Sequence, residues 1–305
     1  MPTPQPAIFA SEGPHHLFLE FSVPTGGDEA RKALAGTLEQ AWAALGSDGE
    51  AESVLGFGAS LWRALTPGEP PGGLRPFRTL HGKEGRRVPG TQNDLWLWVS
   101  GAGRDRVFGA GKAFHDALGD VATLRLEQSG FKYLDSRDLT GFIDGSANPE
   151  GDERLEVALV PAGQAGAGGS HILAQRWVHD LASFHALPEA EQERVIGRSK
   201  ADSVEMPPET KPPWAHIART EIERDGEEIA IYRRSVPFGG MARHGLYFLA
   251  FAAEAERFDI MLQSMYGLTA DGIVDRLTDF SRPESSATYF APSQEDLEKV
   301  LTRLR

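Results

Sequence analysis

The chain contains no cysteine. That excludes disulfides, thiolate nucleophiles, Cys-ligated zinc and iron–sulfur clusters, and it leaves the compartment open. Positive charge is also short. Against 44 Asp and Glu stand 31 Lys and Arg, a net charge of −13 over 305 residues. So acidic a chain is repelled by nucleic acid and by anionic membranes unless basic residues cluster locally. The densest basic run, Lys83 to Arg87, is interrupted by Glu84. No apolar stretch approaches the ~18 residues of a spanning helix. The first residues, Met1-Pro2-Thr3-Pro4-Gln5-Pro6, have neither a basic nor an apolar region. No signal peptide is expected there, and the chain reads as cytoplasmic. HExxH, P-loop and GxGxxG motifs are missing too, which disfavours zinc hydrolases and nucleotide enzymes.

What is present is ordinary globular material, 40% hydrophobic and 25% charged. The length suits one large core or two domains of about 150 residues. Strand and helix patterns alternate. His16 to Val23 reads as a strand with Leu17, Leu19, Phe21 and Val23 on one face. Asp28 to Leu45 and Arg104 to Leu118 read as helices, Asp94 to Ser100 and Thr123 to Tyr133 as strands. Glu69 to Gly90, rich in Pro and Gly, reads as a long loop. The second half repeats the rhythm: strands over His171 to Val178, Glu228 to Arg233, Leu246 to Ala252 and Ala287 to Ala291. Its helices fall over Leu181 to Arg198, Arg257 to Tyr266 and Gln294 to Arg303. Each half follows a β-α-β-β-α-β order. The fold class is therefore α+β, two ferredoxin-like units of antiparallel sheet with helices on one face, divided at 1–140 and 141–305.

Three segments carry candidate chemistry. The first is Gly141-Phe142-Ile143-Asp144-Gly145-Ser146-Ala147-Asn148-Pro149. As composition alone it is a turn. Phe142 and Ile143 are odd in a solvated turn, however. Anchored in a core, they would hold Asp144 in a fixed place, suited to acid–base work. The second is His216, one of nine histidines. Most histidines are surface or satisfied core residues. His216 differs because Lys211-Pro212-Pro213-Trp214-Ala215, directly before it, is a stiff segment that holds the next side chain in a fixed direction. The third is Ile231-Tyr232-Arg233-Arg234-Ser235-Val236-Pro237-Phe238-Gly239-Gly240. Alternation puts Arg233 and Arg234 on opposite faces, so one points inward and needs an ionic partner; an internal ion pair would satisfy it as well as a ligand would.

Together these segments resemble the dye-decolourising peroxidases, in particular the shorter B-type haem enzymes. The GxxDG motif stands at Gly141 to Gly145, followed by Ser146 to Pro149. Gln175 to Leu181, Ile196 to Lys200, Ala215 to Ile217, Arg233 to Gly239 and Asp279 to Ser281 also fit, in family order. The resemblance implies a haem b, one per chain, in the C-terminal unit. His216 would be the axial iron ligand, and Asp279 would accept its other ring N–H. Asp144 and Arg233 would be the catalytic pair on the peroxide side, and Gly145 and Ser235 would belong to the haem-binding residues. Arg198 would pair with a haem propionate. Ser235 departs from family members that carry Asn at that place. The implied activity is reduction of hydrogen peroxide through a ferryl intermediate, with dyes, phenolics or other small one-electron donors as reductants. A homo-oligomer is implied as well, and no long C-terminal docking tail is expected beyond the last helix. A chlorite-dismutase-like enzyme, a non-catalytic haem carrier or sensor, and a haem-free interaction module are the competing readings.

Overall fold

The computed structural model describes residues 2–10, 13–24, 28–46, 51–66, 68–224 and 226–302. Nine strands form one antiparallel sheet: β1 His15–Ser22, β2 Ala51–Phe57, β3 Leu95–Gly101, β4 Thr123–Phe131, β5 Ser170–His179, β6 Tyr232–Arg233, β7 Val236–Gly239, β8 His244–Ala252 and β9 Ser281–Ala291. Their order is β6-β8-β5-β9-β2-β3-β1-β4, with β7 also paired to β8. The first four strands in sequence make one half of the sheet and the last five the other. The halves meet where Phe290 of β9 pairs with Phe57 of β2.

Helices cover the outer faces. α1 Asp28–Ala44, α2 Ala59–Leu65, α3 Arg104–Leu118 and the C-terminal α9 Gln294–Thr302 pack on the first half. Leu17, Leu19 and Phe21 of β1 meet Leu38, Phe114 and Val300 there. α9 thus belongs by sequence to the second half and by packing to the first; Arg303, expected in this helix, lies outside the described residues. α8 Glu256–Met265 covers the second half through Phe258, Leu262 and Met265. The shorter helices are α4 Glu153–Ala158, α5 Leu181–His185, α6 Glu189–Ile196 and α7 His216–Thr220. Pro188 separates α5 from α6 as the N-cap of the latter, because its ring cannot continue a helix but pre-sets the first turn.

The sequence reads β1 as buried on one face, yet residues 16 to 21 are all buried. Sheet curvature explains this. The inner faces of the two halves pack on each other through Phe18, Trp96, Trp98, Tyr247, Phe251 and Tyr289. Phe18 stacks on Tyr247 with centroids 3.8 Å apart. Each such side chain contributes about 1.5–3 kcal/mol by leaving water.

Polar groups in this interior are few, and Glu20 bonds across the halves. Glu20, 1% exposed, accepts from Tyr289 Oη at 2.7 Å and Asn93 Nδ2 at 2.9 Å. Burial pushes its carboxyl upward, opposed by these hydrogen bonds. His16 accepts from Trp98 Nε1 at 3.1 Å. Burial, with the nearby Arg234 charge, lowers His16 from 6.5 to about 4. The unfolded chain therefore takes up this proton first as pH falls, so stability declines below about 6.5 and levels off below about 4. Burial lowers His171 to about 4 as well. Between pH 7 and 5 each histidine should cost about 2 kcal/mol of stability. His16→Gln should remove about half of that decline, measured as urea unfolding free energy across this range.

Candidate active site

β5 and β8 pair in the register Trp177↔Leu246 and Gln175↔Phe248. Alternation turns these four side chains outward, onto one wall of a wide, mostly apolar cavity. α7, α8 and the segment 138–147 close over it. His216, Arg198, Asp144, Gly145 and Arg233, all singled out in the sequence, line this cavity.

His216 is the first residue of α7. The Pro212-Pro213-Trp214 segment before it is clamped, with Arg276 stacked on the Trp214 ring at 4.8 Å and Arg194 at 5.5 Å. Its Nδ1 lies 2.7 Å from Asp275 Oδ2. A carboxylate only accepts, so Nδ1 donates, which in the neutral ring leaves the lone pair on Nε2. Asp275 is 0% exposed and caps the 3₁₀ turn Arg276–Asp279, its Oδ1 accepting from Leu277 N at 2.8 Å. Both carboxylate oxygens are thus committed, which fixes the ring.

Asp279, the partner expected from sequence, is not there. It pairs with Arg86 at a half-exposed site. The two aspartates lie four residues apart around a turn of three residues per revolution, so they face different directions. The signal that would have found Asp275 is its N-cap position, an acidic residue just before a short turn.

The Gly141 to Gly145 segment is anchored as its apolar residues require. Phe142 is buried against Phe184 and Val195, and Lys200 sits over its ring at 5.6 Å. Gly141 and Gly145 have φ of +92° and +77°, where a side chain is strained. At Gly141 a Cβ would also come within 2.7 Å of Lys200 Cε. Asp144 N donates to Ser136 O at 3.0 Å. Asn148 then ties the segment to β6: its Nδ2 donates to Arg233 O at 2.8 Å and its Oδ1 accepts from Arg233 N at 2.9 Å. This amide clip, which sequence reasoning assigned no role, holds the Asp144 loop beside Arg233. Both residues also line a small side cavity of about 40 Å³, together with Gly145 and Ser235.

The two arginines part as expected. Arg233 reaches the cavity. Arg234 is buried in the inner core, donating to Ile8 O at 2.8 Å and lying over Trp98 at 5.1 Å. Ser235 does not reach the wide cavity; its Oγ accepts from Leu249 N at 3.2 Å. Arg198 donates to Glu221 at 3.0 Å and Glu205 at 3.3 Å. His179 has both ring nitrogens engaged, with Ser281 Oγ at 2.8 Å and Asp138 Oδ1 at 3.1 Å. Burial would raise the Asp138 carboxyl, but His179 and Thr140 outweigh it and hold it at about 2. Of these two cavity histidines, only His216 therefore offers a ring nitrogen without a partner among the described residues. A single imidazole donor, apolar walls and a separate Asp–Arg pair fit a flat, iron-bearing macrocycle. They fit a bare metal ion poorly: among the described residues no cluster of three His, Asp or Glu exists.

Replacing Asp275 by Ala removes a cap and strands the His216 N–H, which should cost about 2–4 kcal/mol. Asp279→Ala removes one surface ion pair and should cost at most about 1 kcal/mol. Urea denaturation of both variants checks this ordering.

Comparisons with known proteins agree with this geometry. Residues 5–132 match the family description "Dyp-type peroxidase, N-terminal" and residues 135–296 "Dyp-type peroxidase, C-terminal". A dye-decolorizing peroxidase of Rhodococcus erythropolis is 34% identical over 289 residues, covering 92% of this chain and 84% of its own. A Brevibacterium linens protein of the same name is 31% identical, covering 97% and 82%. Among solved structures, a dyp-type peroxidase protein from Shewanella oneidensis superposes with a TM-score of 0.90 at 32% identity, covering 99% of both chains. A DypB variant from Rhodococcus jostii RHA1 in complex with heme gives 0.89 at 32% identity, covering 97% of this chain and 98% of that one. The chain belongs to the Dyp-type peroxidase family.

Proposed function

We propose that the protein is a haem-dependent peroxidase in which His216 carries one haem b per chain and Asp144 with Arg233 handles hydrogen peroxide. The observation that carries this reading is the placement of two different devices on one cavity. One is an imidazole locked by a buried carboxylate. The other is a carboxylate and a guanidinium held together by the Asn148 clip. Bound haem would supply the iron that accepts oxidising equivalents from peroxide and hands them on one electron at a time.

The protein's own residues do the rest. His216 would hold the iron through Nε2, and Asp275, accepting a hydrogen bond from Nδ1, would make that nitrogen a stronger donor. Asp144 takes a proton from one peroxide oxygen and returns it to the other, so that water can leave. Arg233 cannot act as a base, because its guanidinium stays protonated. It holds positive charge where negative charge develops, in surroundings that screen it less than water does. Arg198 already binds two carboxylates, and a propionate is a ligand of the same chemistry. Apolar side chains on β5 and β8 keep bulk water from the pocket. The reductants are dyes, phenolics or other one-electron donors.

A haem carrier or sensor would have no use for the Asp144 and Arg233 pair, which argues against that alternative. The chlorite-dismutase-like and haem-free readings have no observation in their favour. The proposal retains the units 1–140 and 141–305, a homo-oligomeric state and a cytoplasmic location. The last two rest on the resemblance. No described helix is long and apolar enough to cross a membrane.

His216→Ala should leave far-ultraviolet circular dichroism unchanged and lose the Soret band on haem titration. Full haem uptake with an unchanged spectrum would remove His216 as ligand. Stopped-flow mixing with hydrogen peroxide separates the other pair. Arg233→Ala should slow the reaction about 10²–10³-fold. Asp144→Ala should slow it less, because water in the adjoining side cavity can relay the proton.

A further inference from the structure

The peroxide chemistry leaves two buried histidines unused, His16 in the inner core and His171 beside a cavity. His171, the second residue of β5, lies on the same face as Leu173, Gln175 and Trp177 and is 2% exposed. Its Nδ1 is buried without a partner, and neither ring nitrogen makes a hydrogen bond among the described residues. His171 lines a second cavity, of about 240 Å³.

Helix α8 divides the two cavities. Phe258 and Leu262, one turn apart, line both. Asp259 and Gln263 turn to the second cavity, Met261 and Met265 to the first. Helical geometry requires this split, since residues four apart share a face and their neighbours sit about 100° round. The opposite wall is the segment 73–80. It is pinned by Thr288 Oγ1 donating to Arg75 O at 2.6 Å and by Phe77 N donating to Gln92 Oε1 at 2.9 Å. At the rim, Arg75 and Asp259 pair and cancel their charges, and Arg78 is the other cation.

The cavity thus offers aromatic and aliphatic walls with one buried polar group. Burial lowers that imidazole to about 4, so it is neutral at pH 7. A neutral imidazole can hold a hydroxyl and receive its proton. The wall shared with the first cavity is one side chain thick at Phe258 and Leu262. We propose that the second cavity is the binding site for a single-ring phenolic reductant, its hydroxyl on His171 and its ring against Phe77 and Phe258. This rests on the peroxidase reading above. In turnover the phenol O–H bond breaks. Its proton passes to His171 and on to water at the rim, because burial disfavours the charged ring; one electron would pass through the Phe258 and Leu262 wall to bound haem oxidised by peroxide, and a phenoxyl radical leaves.

Guaiacol is the probe, titrated calorimetrically into the haem-loaded protein. His171→Phe should weaken its binding about tenfold while raising the thermal midpoint, because an unsatisfied buried nitrogen is removed. Gln263→Trp, at the exposed rim, should fill the mouth and weaken binding at least as much with the midpoint unchanged. In both variants the rate of reaction with hydrogen peroxide, and turnover of a polycyclic anthraquinone dye, should stay at the wild-type level. Wild-type guaiacol affinity in both variants overturns the proposal. A protein that takes up no haem, yet binds guaiacol with these variant effects, overturns the peroxidase reading and leaves the site standing.

Discussion

The architecture depends on burying both faces of one sheet. Its outer faces are covered by helices, and its inner faces can be covered only by each other. That demand places large aromatic residues on β1, β3, β8 and β9, and it makes any polar group among them costly. Glu20 meets the demand by binding the halves together. It projects from β1 of the first half and accepts from Tyr289 on β9 and, at 3.4 Å, from Tyr247 on β8 of the second. Trp96 in turn donates to Tyr247 Oη at 3.0 Å. One carboxylate thereby couples three strands that are distant in sequence. The crossover of α9 onto the first half, and of Gln5 onto Leu55 and Pro292, closes the halves from outside.

With its inner face committed to this packing, the sheet can bear a site only on its outer face. β5 and β8 supply that wall, and their strict alternation gives it an apolar character. The polar groups come from irregular segments laid over it. Each is immobilised by a specific device: two prolines and an arginine-clamped tryptophan before His216, a buried cap at Asp275, an aromatic anchor at Phe142, an amide clip at Asn148. Such devices hold side chains in place before any ligand arrives, which is what directed proton transfer and charge stabilisation require. The same outer face, continued past α8, forms the second cavity. A single helix therefore acts as partition, its i, i+4 ridge shared and its flanks assigned to different chambers.

Much of this was legible in the residues. Period-two and period-3.6 patterns marked nearly every long element, because each has one face against a helix layer or a core whichever way the halves are arranged. Asp144, His216 and Arg233 were legible for another reason: each sits in a local motif, Gly-rich, Pro-rich or alternating, whose chemistry is odd unless it positions something. What the residues did not disclose was which of two nearby aspartates, 275 or 279, turns toward His216. Nor did they disclose that His16, Phe18 and Glu20 are as buried as their neighbours, that Ser235 is spent on the backbone of Leu249, or that His171 faces a cavity. Local sequence sets the conformation a segment prefers. The direction of a side chain in a 3₁₀ turn, and the face of a strand that is covered twice, depend on where distant strands and helices come to rest, and only the tertiary structure decides that.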